Sequence, residues 1–213
     1  MTPTRHLALG MVLTAAAGFI DAVGFVELGG FFISFMSGNT THGGAALVEG
    51  AWGVFGFSLS LVALFFLGSI SGTLLATSNA RWGPAIVSFG VTLGVAATLV
   101  LSLRGWPPSQ SMLVLAAAAG AQNAILPMRG AVRLGATFVT GTLYVAGQDL
   151  ALALKGKVPP WRWTQHLAVW LGLLGGATLG ALLYRFSGMV ALALPAAIYA
   201  AFALGHLWAA RKG

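Results

Sequence analysis

The chain has 213 residues, of which 58% are hydrophobic and 7% charged, with a mean hydropathy of +0.89. An ordinary soluble domain carries roughly 25% charged residues, so this composition excludes one and predicts a polytopic, single integral membrane domain over residues 1–213. The net charge of +7 reflects four acids against eleven Lys and Arg. That charge belongs in loops facing lipid headgroups; no basic run is interleaved with aromatics, so the lipid bilayer is an expected partner and nucleic acid is not. Cysteine is absent, which excludes disulfides and thiolate chemistry.

At the N-terminus, Arg5, the apolar run from Leu7 to Leu13 and Ala15-Ala16-Ala17 imitate a cleavable secretory signal. However, Ala17-Gly18-Phe19-Ile20-Asp21-Ala22 returns as Ala119-Gly120-Ala121-Gln122-Asn123-Ala124, mid-chain, where no signal peptidase acts. A retained first span accounts for both copies. Each copy is followed by a polar break, Phe35-Met36-Ser37-Gly38-Asn39-Thr40 in the first and Phe138-Val139-Thr140-Gly141-Thr142-Leu143 in the second. The chain therefore reads as one unit written twice, over residues 7–103 and 112–210.

Apolar stretches run approximately over 7–26, 31–48, 52–76, 84–103, 112–127, 134–154, 167–186 and 190–210. A spanning helix needs about 20 apolar residues, and the second and sixth stretches are the most polar and the most interrupted by glycine. Loop charge bears on whether these two cross, because Lys and Arg near short loops favour the cytoplasm. If all eight cross with the N-terminus inside, seven basic residues fall inside and four outside. If the second and sixth dip in and return, Arg81, Arg129 and Arg133 move inside, Arg104 moves outside with Arg185, and the split becomes nine to two. The predicted fold is an all-α membrane protein of two inverted repeats. Each repeat has three transmembrane helices plus one re-entrant or broken half-helix preceded by a short extended segment, and both termini are cytoplasmic.

The seven Trp residues fall in loops or near segment ends and read as interfacial anchors. Gly68 and Gly72 precede Leu74-Leu75 as Gly176 and Gly180 precede Leu182-Leu183. Glycines four apart let helices approach closely in lipid, either within the chain or across a homodimer.

The breaks carry the chemistry. Phe31 to Met36 is a poor helix start, whereas Ser37, Asn39 and Thr40 are good N-caps, so the first break predicts an extended approach into a half-helix. Ala136 to Val139 leads in the same way into Thr140-Gly141-Thr142. A half-helix N-terminus offers unpaired N–H groups suited to an anion or a polar carbonyl group. Alternatively, these residues only cap short helices. Asp21, within the first span, is matched by the neutral Asn123, with Gln122 beside it. An acid at that depth faces a cavity or a partner. It serves either to take up a proton or cation, or to accept hydrogen bonds from the half-helix start around Gly38 to Thr40. His42 has no counterpart in the second copy and reads as a satisfied or interfacial histidine. Gln148 and Asp149 either line the pathway or end it near Lys155. Arg129 and Arg133 read as a cytoplasmic boundary.

The four histidines are dispersed, and no hydrolase, metal or phosphate-loop pattern occurs. No catalytic residues, metal or cofactor are predicted, and the chain is not read as an enzyme.

Gly18-Phe19-Ile20-Asp21-Ala22-Val23-Gly24-Phe25, followed by Gly29 to Thr40, resembles the YoaK-like family of small bacterial polytopic membrane proteins of unknown function. The resemblance is strongest over residues 17–50 and implies a bacterial inner-membrane location. By a weaker architectural analogy, the paired half-helices look like the crossed elements of nucleobase and sulfate transporters, which are about twice as long. The expected function is secondary transport of a small polar or anionic solute, with the two copies rocking around it. The solute would bind between Asp21, Ser37, Gly38, Asn39 and Thr40 of the first copy and Gln122, Asn123, Thr140, Gly141 and Thr142 of the second. Asp21 would couple uptake to a proton or cation. The alternatives are a passive channel and a membrane scaffold or partner-binding subunit.

Overall fold

The computed structural model describes residues 4–126 and 139–212, and among these every regular element is helical. Arg129, Arg133 and the approach Ala136-Thr137-Phe138 lie outside the described residues. In chain order the helices are α1 (Thr4–Glu27), α2 (Met36–Val48), α3 (Trp52–Ser78), α4 (Gly83–Leu103), α5 (Pro108–Ala121), α6 (Val139–Leu154), α7 (Arg162–Ser187) and α8 (Ala193–Lys212). Two 3-10 turns, Gln122–Ala124 and Gly188–Leu192, follow α5 and α7.

By length and composition, α1, α3, α4 and the joined run of α7 and α8 are able to cross a bilayer. With 13 and 16 residues, α2 and α6 rise about 20 and 24 Å, short of a hydrocarbon core about 30 Å thick. The fifth stretch differs from the crossing expected over residues 112–127. Its α-helix has only 14 residues, starting at Pro108 and tightening into the 3-10 turn at Gln122–Ala124. In the first copy, by contrast, α1 continues as regular helix through Asp21 to Glu27.

The copies are interlocked. α1 packs on α7 and α3 on α5, so a helix of one copy lies against a helix of the other. The contact is at backbone distance: a Cβ on Gly176 would stand 1.9 Å from the Ala15 carbonyl oxygen, and one on Gly68 2.0 Å from that of Ala117. Gly180 meets Phe19 as Gly72 meets Ala121, and Gly18 meets Leu173 as Gly120 meets Phe65. These contacts use Gly68, Gly72, Gly176 and Gly180 inside the chain, so the close approach that a glycine-mediated homodimer would need at them is already taken. α4 packs on α8, while the half-helices α2 and α6 dock on α3 and α7, the helices that follow them. The central core draws Leu13 and Ile20 from α1, Val87 and Val91 from α4, Met112 and Leu115 from α5, and Tyr199 from α8.

Candidate functional site

After α1 the chain reverses through Gly29 and Gly30, whose φ angles of +66° and +115° are in the left-handed region that favours glycine. The Gly30 N–H donates to the Phe25 carbonyl at 2.9 Å, closing the reversal. Residues 31–35 then run back along α1 without regular structure. They are seated there because Gly24 has no side chain: a Cβ at that position would be 2.3 Å from Ile33 Cγ1.

Backbone without a ladder must find other partners in a membrane protein, and two side chains supply them. Asp21 Oδ1 accepts the N–H groups of Ile33 at 2.8 Å and Ser34 at 2.6 Å, and its Oδ2 accepts the Ser34 hydroxyl at 2.6 Å. Asn39, fully buried, brackets Phe32: Oδ1 accepts the Phe32 N–H at 2.9 Å and Nδ2 donates to the Phe32 carbonyl at 2.6 Å. Asp21 thus holds the approach to the half-helix, at Ile33 and Ser34, not its first turn at Gly38 to Thr40. The start of α2 also differs from the sequence reading. Phe35 is the N-cap and makes no side-chain cap bond, and the helix begins at Met36, before Ser37.

A cavity of about 530 Å³ lies between α1, the 31–35 segment, α6 and α7. Asp21, Phe25, Phe32, Ser34 and Phe35 line it from the first copy, and Val139, Thr140, Leu143, Trp170 and Leu173 from the second. The start of α2, at Phe35, and the first described turn of α6, at Val139 and Thr140, therefore border the same space. Its wall is otherwise largely apolar, aromatic and aliphatic, and Asp21 is the one charged side chain among the described lining residues.

The remaining sequence candidates are dispersed. Ser37 and Thr40 are exposed on α2, and the Thr40 hydroxyl donates to the Met36 carbonyl at 2.8 Å. Gly38 leaves room for the rings of Phe32 and Phe35, which a Cβ would approach to 2.9 and 2.7 Å. Gln122 is buried in the core, where it accepts the Tyr199 hydroxyl. Asn123 Nδ2 turns back to the carbonyls of Ala119 and Gly120, both at 3.3 Å. Gly141 faces open space and Thr142 is buried. Asp21 and Thr140 are the two candidates that meet in the cavity.

His42 stacks on Phe31, with ring centroids 4.6 Å apart. Asp149 is buried away from the cavity. It accepts two hydrogen bonds from the Arg162 guanidinium, the one from Nε at 2.8 Å, and lies 3.4 Å from His166 Nε2. The Arg162 hydrogen bond holds the Asp149 carboxyl below the usual carboxylate range.

Phe25, Phe32, Ser34 and Trp170 were not singled out by the sequence. Trp170 lies eight residues into α7, about 12 Å from its start and deeper than a headgroup anchor. That depth is the one signal that could have separated it from the other tryptophans.

The family described as "Protein of unknown function (DUF1275)" matches residues 9–205. The chain belongs to this family. A relative, the UPF0700 transmembrane protein RA0705 of Rhizobium meliloti (strain 1021), is 34% identical over 218 residues, covering 97% of this chain and 92% of that protein. No solved structure matches. Membership in DUF1275 agrees with the resemblance to a membrane family of unknown function, and with the apolar helices the chain is a membrane protein.

Proposed function

We propose that this DUF1275 protein is a secondary transporter whose solute occupies the cavity between the two copies. The observation that carries the reading is the shared wall: Asp21 and Ser34 come from the first copy, and Thr140 and Trp170 from the second. A space of about 530 Å³ is in the range that takes small molecules. Sites formed at the junction of two repeats by interrupted helices are the common plan of such transporters. The reciprocal glycine contacts support a two-fold relation between the copies, and the loop charges support its inversion.

The interlocking of α1 with α7 and α3 with α5 opposes sliding of whole copies past one another, because the glycine contacts leave no clearance. The moving parts in this reading are the half-helices α2 and α6, with residues 31–35 attached. Asp21 binds a proton or cation in one state and releases it in the other. The absence of a catalytic constellation in the sequence keeps the reading non-enzymatic.

Uptake into proteoliposomes by the wild type and by Asp21→Asn, with and without a pH gradient, tests the coupling. The gradient should accelerate uptake in the wild type and not in Asp21→Asn. Equal uptake by both proteins across pH would remove Asp21 from the mechanism. Flux that ignores the gradient in both would favour a passive channel.

A further inference from the structure

We propose that the cavity takes a hydrophobic organic cation, an ammonium group carried on an aromatic or aliphatic body; this rests on the cavity being the solute site.

The carboxylate of Asp21 has about four acceptor directions. Ile33 N–H, Ser34 N–H and the Ser34 hydroxyl bond it, and the Phe35 N–H also interacts with it, every one a neutral donor. The negative charge therefore has hydrogen bonds but no counter-charge among the described residues. Arg, Lys and His are absent from the described lining. With Asp21 ionised, an anion entering this space would meet a like charge with no cationic side chain among the described lining residues to offset it, which disfavours anions.

The rest of the wall selects among cations. Phe25 and Phe32 have ring centroids 5.1 Å apart, Phe32 and Phe35 meet edge to face at 5.1 Å, and Trp170 contributes a fourth aromatic side chain from α7. Aromatic faces attract cations and repel anions, most strongly where water is excluded. A metal ion such as Na⁺ or Ca²⁺ needs several oxygen ligands in place of its water shell. Here Asp21, Ser34 and Thr140 are the only oxygen-bearing side chains on the described wall, and two of them already bond each other. An ammonium on an apolar body needs fewer oxygens, and its body fills the aliphatic remainder of the wall.

The test is binding to the purified full-length protein in detergent by calorimetry, with no gradient, using three probes of similar size. These are benzyltrimethylammonium, its uncharged isostere neopentylbenzene, and benzenesulfonate. The cation should bind at least about tenfold tighter than the isostere, about 1.4 kcal/mol, and benzenesulfonate should not bind. Asp21→Asn should abolish that preference. An Asn carbonyl still accepts the Ile33 and Ser34 N–H groups, and Asn stands at the aligned position 123, so the fold is retained. Trp170→Leu, which leaves the Asp21 bonds untouched, should lower the preference about threefold to thirtyfold. Equal affinity for cation and isostere, tighter binding of benzenesulfonate, or a preference that survives Asp21→Asn would each overturn the proposal. Flux in proteoliposomes separates it from the transport reading. Cation binding without flux would sink transport and leave this inference standing, whereas flux of an anion without cation binding would do the reverse.

Discussion

Among the described residues, the side-chain bonds that fasten α2 gather at its start and those that fasten α6 gather toward its end. α2 is held at its start, where Asp21 and Asn39 bond the backbone of residues 32–34, while its dock on α3 is a close apolar fit in which a Cβ at Gly43 would stand 3.0 Å from Ser58 Cβ. α6 is held toward its end, where buried Asp149 pairs with Arg162 and His166 of α7. Ala46 occupies the aligned position in α2, so the first copy has no such pair there. In the proposed two-copy reading, the matched half-helices differ in where their acid sits. One acid is at the cavity and the other at the rim, and an acid bonded only by neutral donors is the one able to meet a charged solute.

The sharpest way to test the shared shape is steric. Gly176→Val and Gly68→Val each force a Cβ into a carbonyl of the other copy, at 1.9 and 2.0 Å. Both should abolish recovery of monodisperse protein on size exclusion, whereas Gly175→Ala, which meets nothing within 4 Å, should behave as wild type. If only one of the two valine variants failed, the equivalence of the copies would be broken.

Next in size is the clamp. Asp21→Ala strands two N–H groups and a hydroxyl, and each buried unpaired group costs about 1–3 kcal/mol. Its melting temperature should fall well below that of Asp21→Asn. Asn39→Ala should show a smaller drop, since it strands only the two backbone groups of Phe32.

The rim pair comes third. Arg162→Ala should lower the melting temperature by less than Asp21→Ala does, because the guanidinium is partly exposed and its pairing is screened by solvent. Because Arg162 lowers the folded-state pKa of Asp149, the pair's contribution is fully present above the unfolded carboxylate value near 3.9 and is lost as pH falls through the lower folded value. With His166, the other titratable group facing Asp149, replaced by Gln in both proteins, the stability gap made by Arg162→Ala should be constant from pH 7 to pH 5 and narrow only in stronger acid. A gap that closed already at pH 6 in that background would assign the titration to another group. Smallest of all, Ser37→Ala and Thr40→Ala change exposed positions outside the cavity and should shift stability by no more than about 0.5 kcal/mol, and cation binding not at all.

The features legible in the sequence were those written in local pattern. The duplicated Asp21 and Asn123 steps, the two short broken helices and the glycines four apart could all be read from spacing. What the glycines touch could not, because Gly176 meets Ala15 across more than 150 residues of chain, and spacing carries no information about a partner at that separation. The start of α2 was read at Ser37 to Asn39 because these residues are good N-caps. Instead Asn39 serves the preceding segment, since a bracket on Phe32 satisfies two buried backbone groups where a cap satisfies one. Asp149 was read as either lining the pathway or ending it near Lys155; a turn over residues 155–161 returns Arg162 to it instead, away from the cavity. The aromatic wall escaped notice because Phe25 looks like a span residue and Trp170 was read with the other tryptophans as an interfacial anchor, whereas it lines the cavity.

A solute can use the cavity only if it is an aqueous pathway between the copies. The native chain contains no cysteine, so Thr140→Cys places one thiol at that wall. Labelling it with a membrane-impermeant methanethiosulfonate reagent, in sealed vesicles of each orientation, should succeed from both sides and be slowed by benzyltrimethylammonium. A thiol that reacts from neither side in folded protein would show the space to be sealed from water, and would contradict both the pathway and the solute assigned to it.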